Sequence, residues 1–413
     1  MPATLTNASI RFEKRTLSNG LTVVAEIIPT AASAACGFYV RTGARDEDTR
    51  VMGVSHFLEH MMFKGTDTMS AEDLNRAFDD LGATNNAYTS AEITCFYAHV
   101  LPERLLQTID LLGRMMRPAL RVADFDTEKG VILEEIAMYK DNPFWVLYEA
   151  SLEKHYGAHG MGHRVLGTDQ TITALARDQM KAYFDARYSA DNTIVALAGN
   201  VDLDAAIAQL ESTCGAWQST RPSRIRPAPT PVGGELRLTD AKVARGYLLA
   251  LAQGPAIQDE RKYAASLLGQ VLGAADNSRL HWSLVETGIA AEAVAAFDAH
   301  DGCGDYYFFA SADPDRLDEV WDTIRKEIAA LGDSLTEEDL ERLRNKALTG
   351  ATVGGERPAD RMHRLGRLYT YLGQYQPLEE ELEKLNRVTL NDLRAVLRDF
   401  PLEPRTVGRL TPA

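Results

Sequence analysis

Apolar and polar positions change period repeatedly along this chain. LTVVAEII (21–28) and CGFYVRTG (36–43) are runs of β-branched and aromatic residues bounded by glycine or proline, which predicts strands. Residues 53–63 read as a helix. Ser70 is placed to cap a second helix through AEDLNRAFDDL, which Gly82 ends. EITCFYAHV (92–100) predicts another strand, followed by a helix over PERLLQTIDLLGRMM. TEKGVILEEIAMYK (127–140) and RDQMKAYFDARY (177–188) follow helical spacing, and NTIVALAGN (192–200) returns to a strand.

QSTRPSRIRPAPTPVGGE (218–235) then breaks the pattern with four prolines, two glycines and few apolar side chains, as an extended linker does. Beyond it the order repeats. TCFYAHVLPERL (94–105) is echoed by YYFFASADPDRL (306–317), with Pro102 and Pro314, and Arg104 and Arg316, both 212 apart. The same offset carries the strand at 21–28 onto ELRLTD, just past the linker. LARDQMKAYF (175–184) is echoed by LNDLRAVLRDF (390–400). One offset fitting several places means internal duplication, each half about 200 residues long. The expected fold is α+β, with two homologous domains (1–217 and 236–413) joined by the linker 218–235. Each is expected to be a mixed or antiparallel sheet packed with helices, the two arranged as a clamshell around a groove.

Composition narrows the function. Among 413 residues, 45% are hydrophobic and 25% charged, which excludes disordered and collagen-like classes. The net charge of −15 weighs against a nucleic-acid partner, which needs a basic surface. No run approaches 18 uninterrupted apolar residues, so no membrane span is expected. Cys36, Cys95, Cys214 and Cys303 are far apart and outside any CxxC pair, which predicts reduced thiols. MPATLTNASIRFEKR lacks the apolar stretch of a secretory leader, so the expected location is cytoplasmic.

The strongest chemistry lies in His56-Phe57-Leu58-Glu59-His60. On a helix, His56 and His60 are one turn apart on one face and can share a zinc ion. Glu59 neighbours that face and can hold a water. Phe57, Leu58, Met61 and Met62 would bury the helix. This is the HxxEH order, the reverse of HExxH. A catalytic zinc needs a third protein ligand. Glu128, Glu134 and Glu135 on the helix 127–140 are the candidates: Glu128 and Glu135 share a face, and Glu134 points about 100° from Glu135. One carboxylate could bind metal while another orients a ligand.

With these pieces in place, the chain resembles the pitrilysin/insulinase family of zinc peptidases, in the branch of the mitochondrial processing peptidases and their bacterial relatives. TGARDE (42–47), GVSHFLEHMMFKGT (53–66), NAYTSAEIT (86–94), EKGVILEEI (128–136), VLGTDQTI (165–172) and YSADNTIVALAGNVD (188–202) carry the resemblance. It is close in the N-terminal half and weaker beyond. It implies one zinc per chain held by His56, His60 and Glu135, with Glu59 as general base and Glu128 supporting the site from outside. It further implies that Asn86, Ala87, Tyr88 and Thr89 form an edge strand to which an extended peptide adds. The substrate would then be a peptide or unfolded protein segment.

The resemblance fails in one place. Active members usually carry an Arg and a Tyr that contact substrate in a segment like LREKGLAYSV. Here LVETGIAAEA (284–293) puts Val285 and Ala291 at those positions. The residues 212 beyond His56, Glu59 and His60 are Leu268, Val271 and Leu272, so the second half has no metal motif. The resemblance therefore implies the metal-bearing subunit of a two-subunit peptidase, whose homologous partner supplies the Arg and Tyr. A self-sufficient homodimer is the alternative, and a non-catalytic scaffold subunit of the same fold is another. His155, His159 and His163 are spaced four apart, but Gly157, Gly160 and Gly162 favour a loop over a second metal stripe.

Overall fold

In a computed structural model of the chain, residues 10–223 and 227–413 are described. Residues 224–226 of the expected linker, and the first nine residues of the N-terminal stretch, lie outside them. Strands β1 (Arg11–Thr16), β2 (Thr22–Ile27), β3 (Ala34–Val40), β4 (Thr84–Thr89), β5 (Thr94–Val100) and β6 (Thr193–Gly199) form one sheet, in the order β1-β2-β6-β3-β5-β4. β2 and β6 run parallel, and the other pairs are antiparallel. β3 and β6 are buried at every position. Covered on both faces, central strands read as continuous apolar runs rather than alternations, as these do in the sequence.

Strands β7 (Gly234–Thr239), β8 (Gly246–Gly254), β9 (Ala290–His300), β10 (Cys303–Ala312) and β11 (Thr406–Thr411) form a second sheet, in the order β7-β11-β8-β10-β9. This repeats the first sheet without β1. β2 and β7 begin and end 212 residues apart, and β3 and β8 begin 212 apart. The 3₁₀ turns Pro102–Arg104 and Pro314–Arg316 stand at the same offset, each leading into a helix. β7 runs parallel to β11, as β2 does to β6. The fold is α+β and duplicated.

Four helices bear on the site and its support: α1 (Val54–Met62), α2 (Val122–Lys140), α3 (Pro143–Tyr156) and α4 (Pro358–Leu372). α3 belongs to the first repeat by sequence but packs on β8, β11 and β7. α4 belongs to the second repeat but packs on β3, β6 and β2. The compact units are accordingly the described residues of 1–136, 164–224 and 353–376, and of 137–163, 225–352 and 377–413. The repeats are contiguous in sequence, and each unit takes one helix from the other repeat.

Buried polar contacts fix the exchanged helices. Glu26 on β2, 1% exposed, accepts from Arg361 Nη1 and from the Tyr375 hydroxyl, both at 3.0 Å. His155 Nδ1 lies 2.9 Å from Thr406 Oγ1, and the Tyr156 hydroxyl donates to Asp305. The helix carrying His155 runs on to Tyr156, further than the expected loop, and Gly157 then turns the chain at φ +58°. His159 and His163 flank the short turn Gly160–Gly162. Among the described residues the four cysteines form no disulfide, and no helix is long and apolar enough to cross a membrane.

Candidate active site

α1 starts at Gly53, whose φ of +93° only glycine adopts readily. A Cβ there would also lie 2.6 Å from the Leu166 carbonyl oxygen. Glycine has no side chain to cap the helix. Glu47 does so instead, accepting from Gly53 N and Ser55 N at 2.7 Å each. Burial lifts the Glu47 carboxyl to about 7, against the pull of these backbone donors. Phe57, Leu58, Met61 and Met62 are fully buried, so the helix cannot rotate about its axis. That fixes His56 and His60 on the opposite side, their rings 4.7 Å apart.

α2 brings the third group. Glu135 Oε2 lies 3.7 Å from His56 Nε2 and 3.5 Å from His60 Nε2. Among the described residues, these three form the one group of at least three His, Cys, Asp or Glu ligand atoms that lie within 4.8 Å of one another. Ligands about 2.0–2.2 Å from a tetrahedral zinc sit about 3.4 Å from each other, so the set fits such an ion. Glu134, one residue away, is exposed.

The surrounding charges act on these three side chains. His60 Nδ1 lies 2.8 Å from Glu128 Oε1, and Lys64 Nζ contacts Glu128 Oε2. Glu128 thus holds the proton on Nδ1 and leaves Nε2 with a lone pair towards Glu135. Burial would raise the Glu128 carboxyl, but the bonds from His60 and Lys64 hold it below its usual range. Burial would lower His60, yet the Glu128 bond and the charges of Glu135, Glu128 and Glu59 raise it overall. His56 is pushed down to about 3 by burial and by His60, so it is neutral, the form in which an imidazole can bind a metal. Its Nδ1 is buried without a hydrogen-bond partner among the described residues.

Glu59 sits beside this set. Burial raises its carboxyl, opposed by a hydrogen bond from Thr89 Oγ1 to Glu59 Oε2 at 2.5 Å. Thr89 ends β4, which is the edge of its sheet. Ala87 shares a strand face with Thr89, while Asn86 and Tyr88 lie on the other. The turn after β4 is locked to the TGARDE segment. Ala44 N donates to Ser90 O at 3.2 Å, Arg45 N donates to Ala91 O at 2.7 Å, and the buried Arg45–Glu92 pair closes at 2.6 Å. Sequence reasoning missed three contributions: the cap from Glu47, the contact of Lys64 with Glu128, and the bond of Thr89 to Glu59. Only Lys64 carried a signal, four residues after His60.

Two family descriptions match: insulinase (peptidase family M16) over residues 22–169, and the peptidase M16 inactive domain over 174–347. A protein of Mycobacterium leprae described as a zinc protease is 33% identical over 390 residues, 93% of this chain and 88% of that one. The chain belongs to the insulinase family. It is accordingly a metallopeptidase. A zinc protease of Bacillus subtilis is 30% identical over 405 residues, covering 97% of this chain and 98% of that protein. In fold the chain is similar to a protease from Helicobacter pylori, with a TM-score of 0.90 at 21% identity over 98% of this chain and all of the other.

Proposed function

We propose that the chain is a zinc-dependent endopeptidase acting on peptides or unstructured protein segments, which add as a further strand to the open edge of β4. The convergence of His56, His60 and Glu135 at one point, with Glu59 beside them, carries this reading. His56 Nε2, His60 Nε2 and a Glu135 carboxylate oxygen would hold one zinc per chain. When bound, zinc supplies Lewis acidity, polarising the scissile carbonyl and lowering the pKa of water towards about 7. Glu59 takes a proton from the attacking water as its oxygen bonds to the carbonyl carbon. The C–N bond then breaks, and Glu59 returns the proton to the leaving nitrogen, giving a carboxylate and an amine. Glu128 keeps the His60 ring turned to its task.

The edge of β4 offers main-chain groups, which bind with little sequence preference. Val285 and Ala291 in the second unit carry no donor for substrate. We therefore place the chain as the metal-bearing subunit of a two-subunit, processing-type peptidase. A scaffold subunit would have no use for an intact ligand set with its supporting carboxylate, which disfavours that reading. Glu59→Gln tests the function: it keeps the shape but accepts no proton, so zinc content should hold while hydrolysis falls by about 10²–10⁴-fold. An undiminished rate in that variant would refute the reading.

A further inference from the structure

We infer that Thr89 is a positioning residue for Glu59, a role distinct from that of the strand it ends. The inference rests on the proposed role of Glu59 as general base. Among the described residues, Thr89 Oγ1 is the one hydrogen-bond partner of the Glu59 carboxylate, donating to Oε2 at 2.5 Å. With Oε2 held by this bond, Oε1 has no hydrogen-bond partner among the described residues and is the freer of the two oxygens to meet a water. Glutamate has several rotatable bonds, and a buried carboxylate without this donor could settle in other rotamers.

The donor itself is rigidly mounted. Threonine is β-branched, so its χ1 is restricted on a strand. Thr89 pairs with Thr94 on β5. Directly after it, Ser90 N donates to Ile93 O at 2.8 Å and Ser90 Oγ donates to the same oxygen at 3.0 Å. The Arg45–Glu92 pair then fixes that turn. A group held this way on a strand orients a base more closely than a loop residue would. Its side chain points to α1, on the strand face opposite Asn86 and Tyr88.

Thr89→Val removes the hydroxyl and keeps the shape; Thr89→Ser keeps the hydroxyl. Peptide hydrolysis by both, with zinc content measured in parallel, separates the possibilities. A misplaced base costs about 10²-fold for a displacement of about 1 Å. The expected result is a fall in kcat of about 10–100-fold for Thr89→Val with KM within about twofold, and near-normal kcat for Thr89→Ser. Crystal structures of the metal-free proteins provide a second readout. Glu59 should hold its place in wild type and Thr89→Ser, and turn away or lose order in Thr89→Val. Full kcat in Thr89→Val would overturn the inference. So would a change confined to KM, or zinc loss shared by Val and Ser, because those mark a substrate-contact or structural residue. Undiminished hydrolysis by Glu59→Gln would instead remove the general-base reading, and this inference with it. If Thr89→Val does not fold, Thr89→Ala is subject to the same criteria.

Discussion

Glu134 and Glu135 are neighbours in sequence with different surroundings. Glu135 faces both imidazoles, while Glu134 is turned to solvent. Glu135→Gln should drop zinc content from near one equivalent per chain to near zero, and Glu134→Gln should leave it unchanged; metal analysis after zinc reconstitution reads both. The opposite pattern would show that the carboxylate has been misassigned. Glu128→Gln should act more mildly, costing about 10–100-fold in zinc affinity or activity, because Glu128 acts through His60 and is not among the proposed ligands. At this scale the histidine pair was legible because one helical turn separates the two and the flanking residues are apolar. The choice among Glu128, Glu134 and Glu135 was not settled by helical periodicity, since it depends on how α2 meets α1. Thr89 gave no signal as a partner of Glu59, because a hydroxyl across from a helix leaves no pattern along the chain.

At the scale of the element, α1 is held by segments far from it in sequence. The Arg45–Glu92 pair is almost wholly buried, with side chains 2% and 1% exposed. Glu92→Ala removes the buried carboxylate that Arg45 Nη1 meets at 2.6 Å, and breaking a buried pair from one side should cost about 3–5 kcal/mol of stability in denaturant unfolding. A loss under about 1 kcal/mol, as for a surface pair, would show that the turn is not fixed this way. The strands were readable from their apolar runs, and the repeat from its constant offset. The exchange of α3 and α4 was not, because an apolar helix face does not say which of two similar sheets it covers. Anchorage of α3 gives a pH test. Burial pushes His155 down to about 4 from 6.5, with Arg405 adding to it, and lifts Asp305 to about 6 from 3.8. Between about pH 4 and 6 the folded state carries one proton on Asp305, and the unfolded state one on His155, so their contributions to stability against pH cancel. Asp305→Asn leaves the depressed histidine, whose contribution is lost as pH falls from about 6.5 to 4. His155→Gln leaves the raised carboxyl, whose contribution is lost as pH rises from about 4 to 6. Thermal midpoints across this range should slope in opposite directions in the two variants. Parallel slopes would refute the assignment.

At the scale of the whole molecule, duplication has given two sheets of matching order and two different sets of chemistry. The residues at the metal offset in the second unit, Leu268, Val271 and Leu272, lie on or beside that unit's apolar core. Val285 packs against the same core, and Ala291 is exposed near the start of β9. Neither side chain can donate a hydrogen bond to a developing oxyanion, and losing one such donor costs about 10²–10³-fold in rate. The isolated chain is therefore expected to hydrolyse an unstructured peptide slowly. A homologous chain of similar length, lacking HxxEH but carrying the Arg and Tyr, should raise the rate when added. The same partner should do nothing for the Glu59→Gln variant, since the proposed base comes from this chain. Hydrolysis by the purified protein alone, then with the partner titrated in, measures the effect. Full activity from the chain alone, unchanged by any partner, would reject the two-subunit arrangement and favour a self-sufficient homo-oligomer. Donors from elsewhere in this chain would then have to replace the missing Arg and Tyr.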